Sequence, residues 1–215
     1  MKNIKIVVSV EGYFDCSSCF YRSADMISPL RKFDFKTGIN TIYGEIDSGA
    51  WAISYLISMY RYKPKTCIFY DKPQISTDGC EVSLRDVSEH SCYMDREYPL
   101  FSTRKTVRAC VASGLKKTGM RETPDDVQRL FLISPDRFNR PLSGTGNEVY
   151  KAMAAIGYAH GKQIFCFPWL SQKRFSALHR NMTDLLDILE KLEKTVILPL
   201  GVSCQQCREE HREQK

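Results

Sequence analysis

Two cysteine pairs are the first residues in the sequence whose type and spacing could do chemistry. Cys16 and Cys19 form one Cys-x-x-Cys pair near the start, and Cys204 and Cys207 form a second one near the end. Four thiolates can hold one zinc ion in a tetrahedral site, and paired cysteines are typical of such sites. Because the pairs lie far apart in the sequence, only the fold could unite them. A shared zinc site is one prediction, and two unrelated pairs of surface thiols or two redox pairs are the alternatives.

A second chemical candidate is the segment 44–49 (GEIDSG), which has the Gly-x-x-x-x-Gly spacing of a phosphate-binding loop. Glycines let backbone N–H groups converge on an anion, and the helix that follows adds a favourable field at its N-terminus. The candidate phosphate-binding residues are Gly44, Asp47, Ser48 and Gly49. In a working loop a lysine follows the second glycine, and a serine or threonine follows the lysine. Ala50 and Trp51 stand there instead, so the ammonium group and the metal-binding hydroxyl are both missing.

Alternating strands and helices must position these candidates. Short β-branched, apolar runs predict strands, and apolar residues at helical spacing predict helices. The predicted strands span 4–10, 38–43, 66–70, 163–167 and 195–200, and the predicted helices follow residue 49 and span 104–115, 148–160 and 174–193. One more helix is predicted to start at Thr123 and Pro124, where a capping hydroxyl precedes a proline and two acids. Strand–turn–helix units around a helix-rich middle predict an α/β core with a helical insertion.

Length and composition exclude several classes of protein. Of the 215 residues, 43% are hydrophobic and 26% are charged, which excludes a disordered or collagen-like chain. No apolar run reaches the ~18 residues of a membrane span, and the first residues do not form a secretory signal. The formal net charge of +6 permits an acidic partner, but the scattered basic residues give no strong nucleic-acid signal. We expect a cytoplasmic protein whose other cysteines are packed or incidental thiols, namely Cys67, Cys80, Cys92, Cys110 and Cys166.

The order of motifs resembles an ATP-binding-cassette (ABC) ATPase domain over nearly the full length of the chain. Segment 44–49 stands where that family has its Walker A loop, and segment 67–76 (CIFYDKPQIS) looks like the strand-turn-strand after the family's first helix. Segment 92–101 (CYMDREYPLF) is similar to the family's Q-loop region. Segment 142–144 (LSG) matches the start of the Leu-Ser-Gly-Gly-Gln signature.

The resemblance implies an ABC/RecA-like P-loop core with a helical insertion. The core would comprise 1–95 and 147–203, and the insertion would be 96–146, ending in the signature-like loop. Residues 204–215 would form a tail with the second cysteine pair. The resemblance also adds Ser143 and Gly144 to the candidate nucleotide-binding residues. The alternative role for Ser143 is to cap the helix that follows it.

The departures from the family's pattern fall on its catalytic positions. After the fourth predicted strand the family has an Asp that holds Mg²⁺ and a Glu that polarises water, whereas this chain has Pro168 and Trp169. Trp169 is expected to fill the core or to anchor a partner. The Q-loop glutamine is replaced by Asp95 or Arg96. No histidine follows the last strand, where 201–203 reads Gly-Val-Ser.

These features predict a pseudo-ATPase, which has the family's fold but no catalytic residue and no ATP hydrolysis. The leading hypothesis is a regulatory or assembly subunit whose partner is an intact ABC ATPase, a transporter membrane subunit or a second copy of the chain. Through such a partner, the cytoplasmic chain would be peripheral to the membrane. The alternatives are a weak ATP- or GTP-binding ABC ATPase with residual hydrolysis, and a zinc-stabilised interaction module. The head-to-tail pairing of the family implies that Ser143 could meet a phosphate presented by the partner.

Overall fold

A computed structural model of the chain describes residues 3–9, 14–16, 19–21, 30–44, 50–62, 74–101 and 104–201. Its strands are β1 (Asn3–Ser9), β2 (Phe14–Cys16), β3 (Cys19–Tyr21), β4 (Leu30–Lys36), β5 (Gly38–Tyr43), β6 (Gln74–Thr77), β7 (Cys80–Glu81), β8 (Ser91–Tyr93), β9 (Ile164–Cys166) and β10 (Thr195–Leu200). Its helices are α1 (Ala50–Met59), α2 (Leu84–His90), α3 (Val107–Thr118), α4 (Pro124–Leu130), α5 (Pro135–Phe138), α6 (Val149–Ala159), α7 (Gln172–Ala177) and α8 (His179–Lys191).

A parallel sheet in the order β5-β10-β9-β8 forms the centre of the fold. β10 is buried along its whole length, and both α1 and α8 contact it. A parallel strand that is covered on both faces is expected to be almost continuously apolar, and the sequence TVILPL meets that expectation. The predicted strands 38–43 and 195–200 are confirmed with the same bounds, and the predicted strand 163–167 is confirmed as the shorter β9.

A second, antiparallel sheet has the order β4-β1-β6-β7, and β2 pairs with β3 in a separate hairpin. Asp78 and Gly79 join β6 to β7, and both have positive φ, 52° and 84°, as a two-residue type I′ turn requires. The first predicted strand is confirmed as β1. The predicted strand 66–70 lies outside the described residues.

The helix-rich middle of the chain contains α3, α4 and α5, and the predicted start of α4 is confirmed. The Thr123 hydroxyl accepts the N–H of Asp126, and the Asp126 carboxylate accepts the N–H of Thr123 at 2.8 Å. The Thr123 hydroxyl also donates to the Asp126 carboxylate at 2.7 Å, and this bond, together with the backbone one, holds the pKa of Asp126 below its usual range. Such a reciprocal cap satisfies two backbone donors at the helix start. The boundaries of the helical insertion, at 96 and 146, stay a prediction.

Helices α3 and α6 pack closely because Gly114 has no side chain. A Cβ at this position would lie 2.5 Å from Cδ2 of His160 and 2.8 Å from the backbone carbonyl carbon of Ala159. The Thr118 hydroxyl, one turn further along α3, donates to the carbonyl of Ala159 at 3.1 Å. A hydrogen bond from a side chain of α3 to the backbone of α6 therefore joins the two helices beside the glycine contact.

A buried ion pair joins α6 to α8. Lys151 donates from Nζ to Oδ2 of Asp184 at 2.8 Å, and the side chains are 4% and 33% exposed. The neighbouring residues of α6 are almost all buried. The Asp184 carboxylate compensates the charge of the Lys151 ammonium group, which would be strongly destabilising if it were buried without a partner.

The single helix predicted over 174–193 is wrong, because the structure has two helices that meet at Leu178. The Ser171 hydroxyl accepts the N–H of Arg174 and starts α7, and Leu178 then leaves the helical conformation with φ −108° and ψ 6°. α8 begins at the next residue. The helical spacing of apolar residues continues across the break between α7 and α8. Met182 and Leu185 of α8 are fully buried in the same core as Phe175 of α7.

Three of the cysteines outside the Cys-x-x-Cys pairs are packed thiols, as predicted. Cys92, Cys110 and Cys166 are buried, and burial raises the pKa of the Cys92 thiol to about 12. Cys80 is exposed in β7, and Cys67 lies outside the described residues. Among the helices that the structure describes, none is both long and apolar enough to cross a membrane.

Candidate functional site

The carboxyl ends of the parallel strands form the edge at which the sequence motifs meet. Gly44 follows β5, Met94 follows β8, Phe167 follows β9 and Gly201 follows β10. In open parallel sheets, ligands bind at this edge. The backbone there is well ordered by hydrogen bonds: Gly44 donates its N–H to the carbonyl of Leu200 at 3.0 Å, and Met94 donates to Cys166 at 2.8 Å.

Trp169 spans the ends of β5 and β10. Its indole Nε1–H donates a hydrogen bond to the carbonyl of Gly44 at 2.9 Å. The ring carbon Cζ2, on the same edge of the indole as Nε1, faces Gly201, where an added Cβ would come within 3.4 Å of it. The side chain at the expected position of the catalytic acids therefore contacts both the start of the glycine segment and the residue after the last strand.

Helix α1 is fixed against the end of β9 by a buried serine. The Ser54 hydroxyl donates to the carbonyl of Phe167 at 2.6 Å, and the Ser54 side chain is fully buried. Gly44 is itself buried, and α1 begins at Ala50. The other predicted phosphate-binding residues of this segment, Asp47, Ser48 and Gly49, lie outside the described residues.

Asp95, at the expected position of the Q-loop glutamine, stabilises the turn in which it lies. Its Oδ1 accepts the N–H of Glu97 at 3.0 Å, and its carbonyl accepts the N–H of Tyr98. The Asp95 side chain is half-buried, whereas Arg96 is exposed. The carboxylate therefore shapes the chain after β8 by an Asx-type hydrogen bond.

Tyr150 is a site residue that the sequence did not indicate. Its side chain is 3% exposed, and its hydroxyl has no hydrogen-bond partner within the part of the chain that the structure describes. The ring lies 5.6 Å from that of Phe167, and the guanidinium carbon of Arg174 lies 5.9 Å from its centroid. Burial raises the pKa of the Tyr150 phenol. No motif marks this tyrosine, because it occupies an ordinary position in the first turn of α6.

The signature-like loop is exposed, and it does not lead directly into a helix. It consists of two 3₁₀ turns, Leu142–Gly144 and Gly146–Glu148, and α6 starts only at Val149. Ser143 therefore does not cap α6, and the alternative role predicted for it is wrong. Ser143 and Gly144 are both exposed at the surface.

Two arginines flank the signature-like loop. A Cβ on Gly144 would lie 3.2 Å from Cβ of Arg140, and the Arg140 guanidinium pairs with Asp136 at 2.6 Å. Arg137 pairs with Glu148 at 3.1 Å on the other side of the loop. Arg137 therefore holds the second turn of the loop, which it also contacts through Asn147, and the Ser143 side chain is exposed.

The structure places only one of the two cysteine pairs. The β2–β3 hairpin sets Cys16 directly opposite Cys19 in its register. Cys204 and Cys207 lie outside the described residues. Within the described part of the chain, no group of three or more histidine, cysteine or acidic residues could hold a metal ion. The shared zinc site stays a prediction.

The fold is similar to that of ABC ATP-binding domains in solved structures. A protein from Pyrococcus furiosus, described as an ABC transporter ATP-binding protein, matches with a TM-score of 0.58 and 12% identity over 91% of this chain and 90% of its own. A bacterial Atm1-family ABC exporter with ATP bound matches with a TM-score of 0.56 and 15% identity over 92% of this chain, which spans 34% of the exporter chain. No protein-family model and no curated protein matches the sequence. The predicted fold class, an α/β core of the ABC ATPase type, is confirmed.

Proposed function

We propose that this chain is a non-hydrolysing ABC-type subunit that regulates or assembles a partner ATPase or transporter. The observation that supports this most directly is the end of β9, where Pro168 and Trp169 stand in place of an acid pair and Trp169 hydrogen-bonds to Gly44. An indole N–H is a donor only, and proline has no side-chain polar group. Neither residue can coordinate Mg²⁺ or accept a proton from an attacking water.

The combined loss of charged groups is too large for residual turnover. One positioned electrostatic group in a transition-state site typically contributes roughly 3–4 kcal/mol, or roughly 10²–10³ in rate. Phosphoryl transfer depends almost entirely on such groups and on positioning. In this chain Ala50, Trp51, Pro168 and Trp169 stand at the expected positions of the loop lysine, the metal-binding hydroxyl and the acid pair, and no histidine occurs in 201–203.

A partner would supply the chemistry that this chain lacks. Ser143 and Gly144 are exposed on a loop whose second turn pairs with Arg137 through Glu148, so a second protein can approach them. We favour an intact ABC ATPase as that protein, with a transporter membrane subunit or a second copy of the chain as the other candidates. The chain would act in the cytoplasm, peripheral to a membrane through this partner.

We expect the purified chain to hydrolyse no ATP above background in the presence of Mg²⁺, because no side chain at the carboxyl end of β9 can bind the metal or take a proton. A steady-state phosphate-release assay on the isolated chain measures this. The matched control is Gly49→Asp, which places a negative charge in the predicted phosphate-binding segment. Turnover by the wild type that Gly49→Asp abolishes would contradict the proposal and favour a weak ATP- or GTP-hydrolysing enzyme.

We also propose one zinc ion held by Cys16, Cys19, Cys204 and Cys207. The register of the β2–β3 hairpin supports one half of this site. Because thiolates have no preformed site in the unfolded chain, metal binding would stabilise the fold. We expect Cys16→Ser and Cys204→Ser each to abolish stoichiometric zinc and to lower the melting temperature.

Metal analysis of protein purified without added zinc, combined with thermal unfolding, tests the zinc proposal. Cys80→Ser is the matched control. It removes an exposed free thiol from β7, which belongs to the antiparallel sheet β4-β1-β6-β7 and not to the β2–β3 hairpin. A wild-type chain without zinc rejects the site. A full equivalent of zinc in either single variant rejects the sharing of one ion by both pairs.

A further inference from the structure

The hydroxyl of Tyr150 is a buried donor that has no acceptor within the described part of the chain. The side chain is 3% exposed, and its oxygen makes no hydrogen bond to any described residue. Buried polar groups in folded proteins almost always have a hydrogen-bond partner, and one without a partner destabilises the fold. Burial raises the pKa of the phenol, so the group stays protonated at neutral pH. It is therefore suited to donate to an acceptor that the described residues do not supply.

Two arginines place positive charge around this hydroxyl. The guanidinium carbon of Arg174, in α7, lies 5.9 Å from the centroid of the Tyr150 ring. Arg96, in the chain after β8, also acts on the phenol electrostatically, and Asp95 acts with the opposite sign. Both arginine side chains are exposed, and neither forms an ion pair with a carboxylate that the structure describes. The charged groups that act on the phenol are therefore mostly cationic.

These groups meet at the carboxyl end of the parallel sheet. The Tyr150 ring lies 5.6 Å from that of Phe167, which follows β9, and Arg96 lies in the chain that follows β8. Strands β8 and β9 are neighbours, and open parallel sheets bind ligands at the carboxyl ends of their strands. Tyr150 lies in the first turn of α6, where the helix dipole adds a field that favours an anion.

We infer that Tyr150, Arg96 and Arg174 form a binding site for a phosphate group. A phenol donates one hydrogen bond to an oxyanion, and a guanidinium donates several. The three donors come from three separate elements, which suits an anion with oxygens in several directions better than a flat carboxylate. The exposed Arg174 side chain is free to turn from the face of the ring towards the anion and to uncover the hydroxyl. The site uses no residue of segment 44–49 and is independent of the proposed function.

Tyr150→Phe tests this site, because it removes only the hydroxyl. Thermal unfolding is followed in inorganic phosphate at constant ionic strength, since a ligand that binds the folded chain raises the melting temperature with its concentration. Without phosphate, we expect Tyr150→Phe to be at least as stable as the wild type, because no hydrogen bond is lost. With phosphate, we expect the wild type to gain stability. The variant should bind phosphate at least about tenfold more weakly, which is the share of one hydrogen bond to a charged group.

Two matched controls isolate the hydroxyl and the guanidinium. Tyr158→Phe removes a hydroxyl from the same helix, but that hydroxyl donates to Glu122 at 2.9 Å. We expect this control to lower the melting temperature and to leave the effect of phosphate unchanged. Lys173→Gln removes the same charge as Arg174→Gln, from a neighbouring exposed position of α7. We expect only Arg174→Gln to weaken phosphate binding, by about tenfold or more.

A ¹³C spectrum of the tyrosine Cζ atoms reports on the site directly. The Tyr150 resonance is the one that Tyr150→Phe removes, and we expect phosphate to shift it with the same midpoint as the melting temperature. An unchanged Tyr150 resonance in phosphate that stabilises the chain would place the anion elsewhere and overturn the site. A loss of stability in Tyr150→Phe that does not depend on phosphate would overturn it too, because an ordered water would then satisfy the hydroxyl.

The same titration with ADP, in the absence of Mg²⁺, identifies the source of the phosphate group. Tighter binding of ADP that Tyr150→Phe weakens assigns the site to the phosphate of a nucleotide, and weaker binding of ADP assigns it to a free anion. A wild-type chain that responds to neither ligand overturns the site. The proposed function is tested separately, because none of these results depends on hydrolysis or on a partner.

Discussion

Gly114→Ala will lower the free energy of unfolding by about 2–3 kcal/mol. Overpacking of a core typically costs about 1–3 kcal/mol, and here the added Cβ would meet the backbone carbonyl carbon of Ala159 at 2.8 Å, which cannot rotate away. The higher helix propensity of alanine offsets up to about 1 kcal/mol of this destabilisation. We therefore expect the packing cost itself to be at or above about 3 kcal/mol, the top of the range for overpacking. For a chain of this size the change corresponds to a decrease of roughly 5–10 °C in melting temperature.

Chemical denaturation and thermal unfolding of the same variant measure this effect. The matched control is Ser113→Ala, one residue earlier in α3, where the side chain is exposed and the substitution should change stability by less than about 0.5 kcal/mol. A Gly114→Ala chain as stable as the wild type would show that α3 and α6 can separate without loss, and that their close approach is not required.

Ser143→Arg will reduce the ATPase rate of a reconstituted partner complex by about tenfold or more, down to the rate of the partner alone. This prediction rests on the proposed function, in which the exposed loop around Ser143 approaches a nucleotide held by the partner. The hydroxyl of such a loop can contact a phosphate, and the loss of one positioned donor costs roughly 10²–10³ in rate. The longer arginine side chain would also hold the two surfaces apart.

The comparison with Gly49→Asp decides what the loop does. That substitution changes the chain's own predicted phosphate segment, and we expect it to leave the partner's rate nearly unchanged. Ser113→Arg adds the same charge and bulk on the exposed face of α3 and controls for non-specific effects. Equal effects of Ser143→Arg and Gly49→Asp, or no effect of Ser143→Arg, would mean that the signature-like loop has only a structural role.

Much of the fold was predictable from local patterns, because its central strands are short, apolar and bounded by turns. β5 and β10 have the predicted bounds, and the Thr123 cap begins α4 as expected. The break at Leu178 was not predictable from periodicity. Both α7 and α8 place their apolar residues in one core, so the spacing continues across a point where the backbone leaves the helix.

The site was predictable in its residue types but not in its contacts. The family resemblance predicts that Trp169 stands at the position of an acid, but no sequence pattern indicates its bond to Gly44, which joins residues 125 positions apart. That contact exists because β10 lies between β5 and β9, which is a property of the sheet order. The alternative role predicted for Ser143, a cap of the following helix, is wrong for a local reason: Gly146 has a φ of +58° and begins a second turn before α6.

The buried ion pair between α6 and α8 restricts the order in which its two residues can be substituted during evolution. Loss of Asp184 alone would leave Lys151 charged and 4% exposed, and such a broken pair costs about 3–5 kcal/mol, a large share of the roughly 5–15 kcal/mol that stabilise a domain. Loss of Lys151 first leaves an aspartate that is 33% exposed and can be hydrated. A double replacement by apolar residues can be neutral. Descendants of this sequence that lack the pair are therefore expected to have lost the lysine before the aspartate.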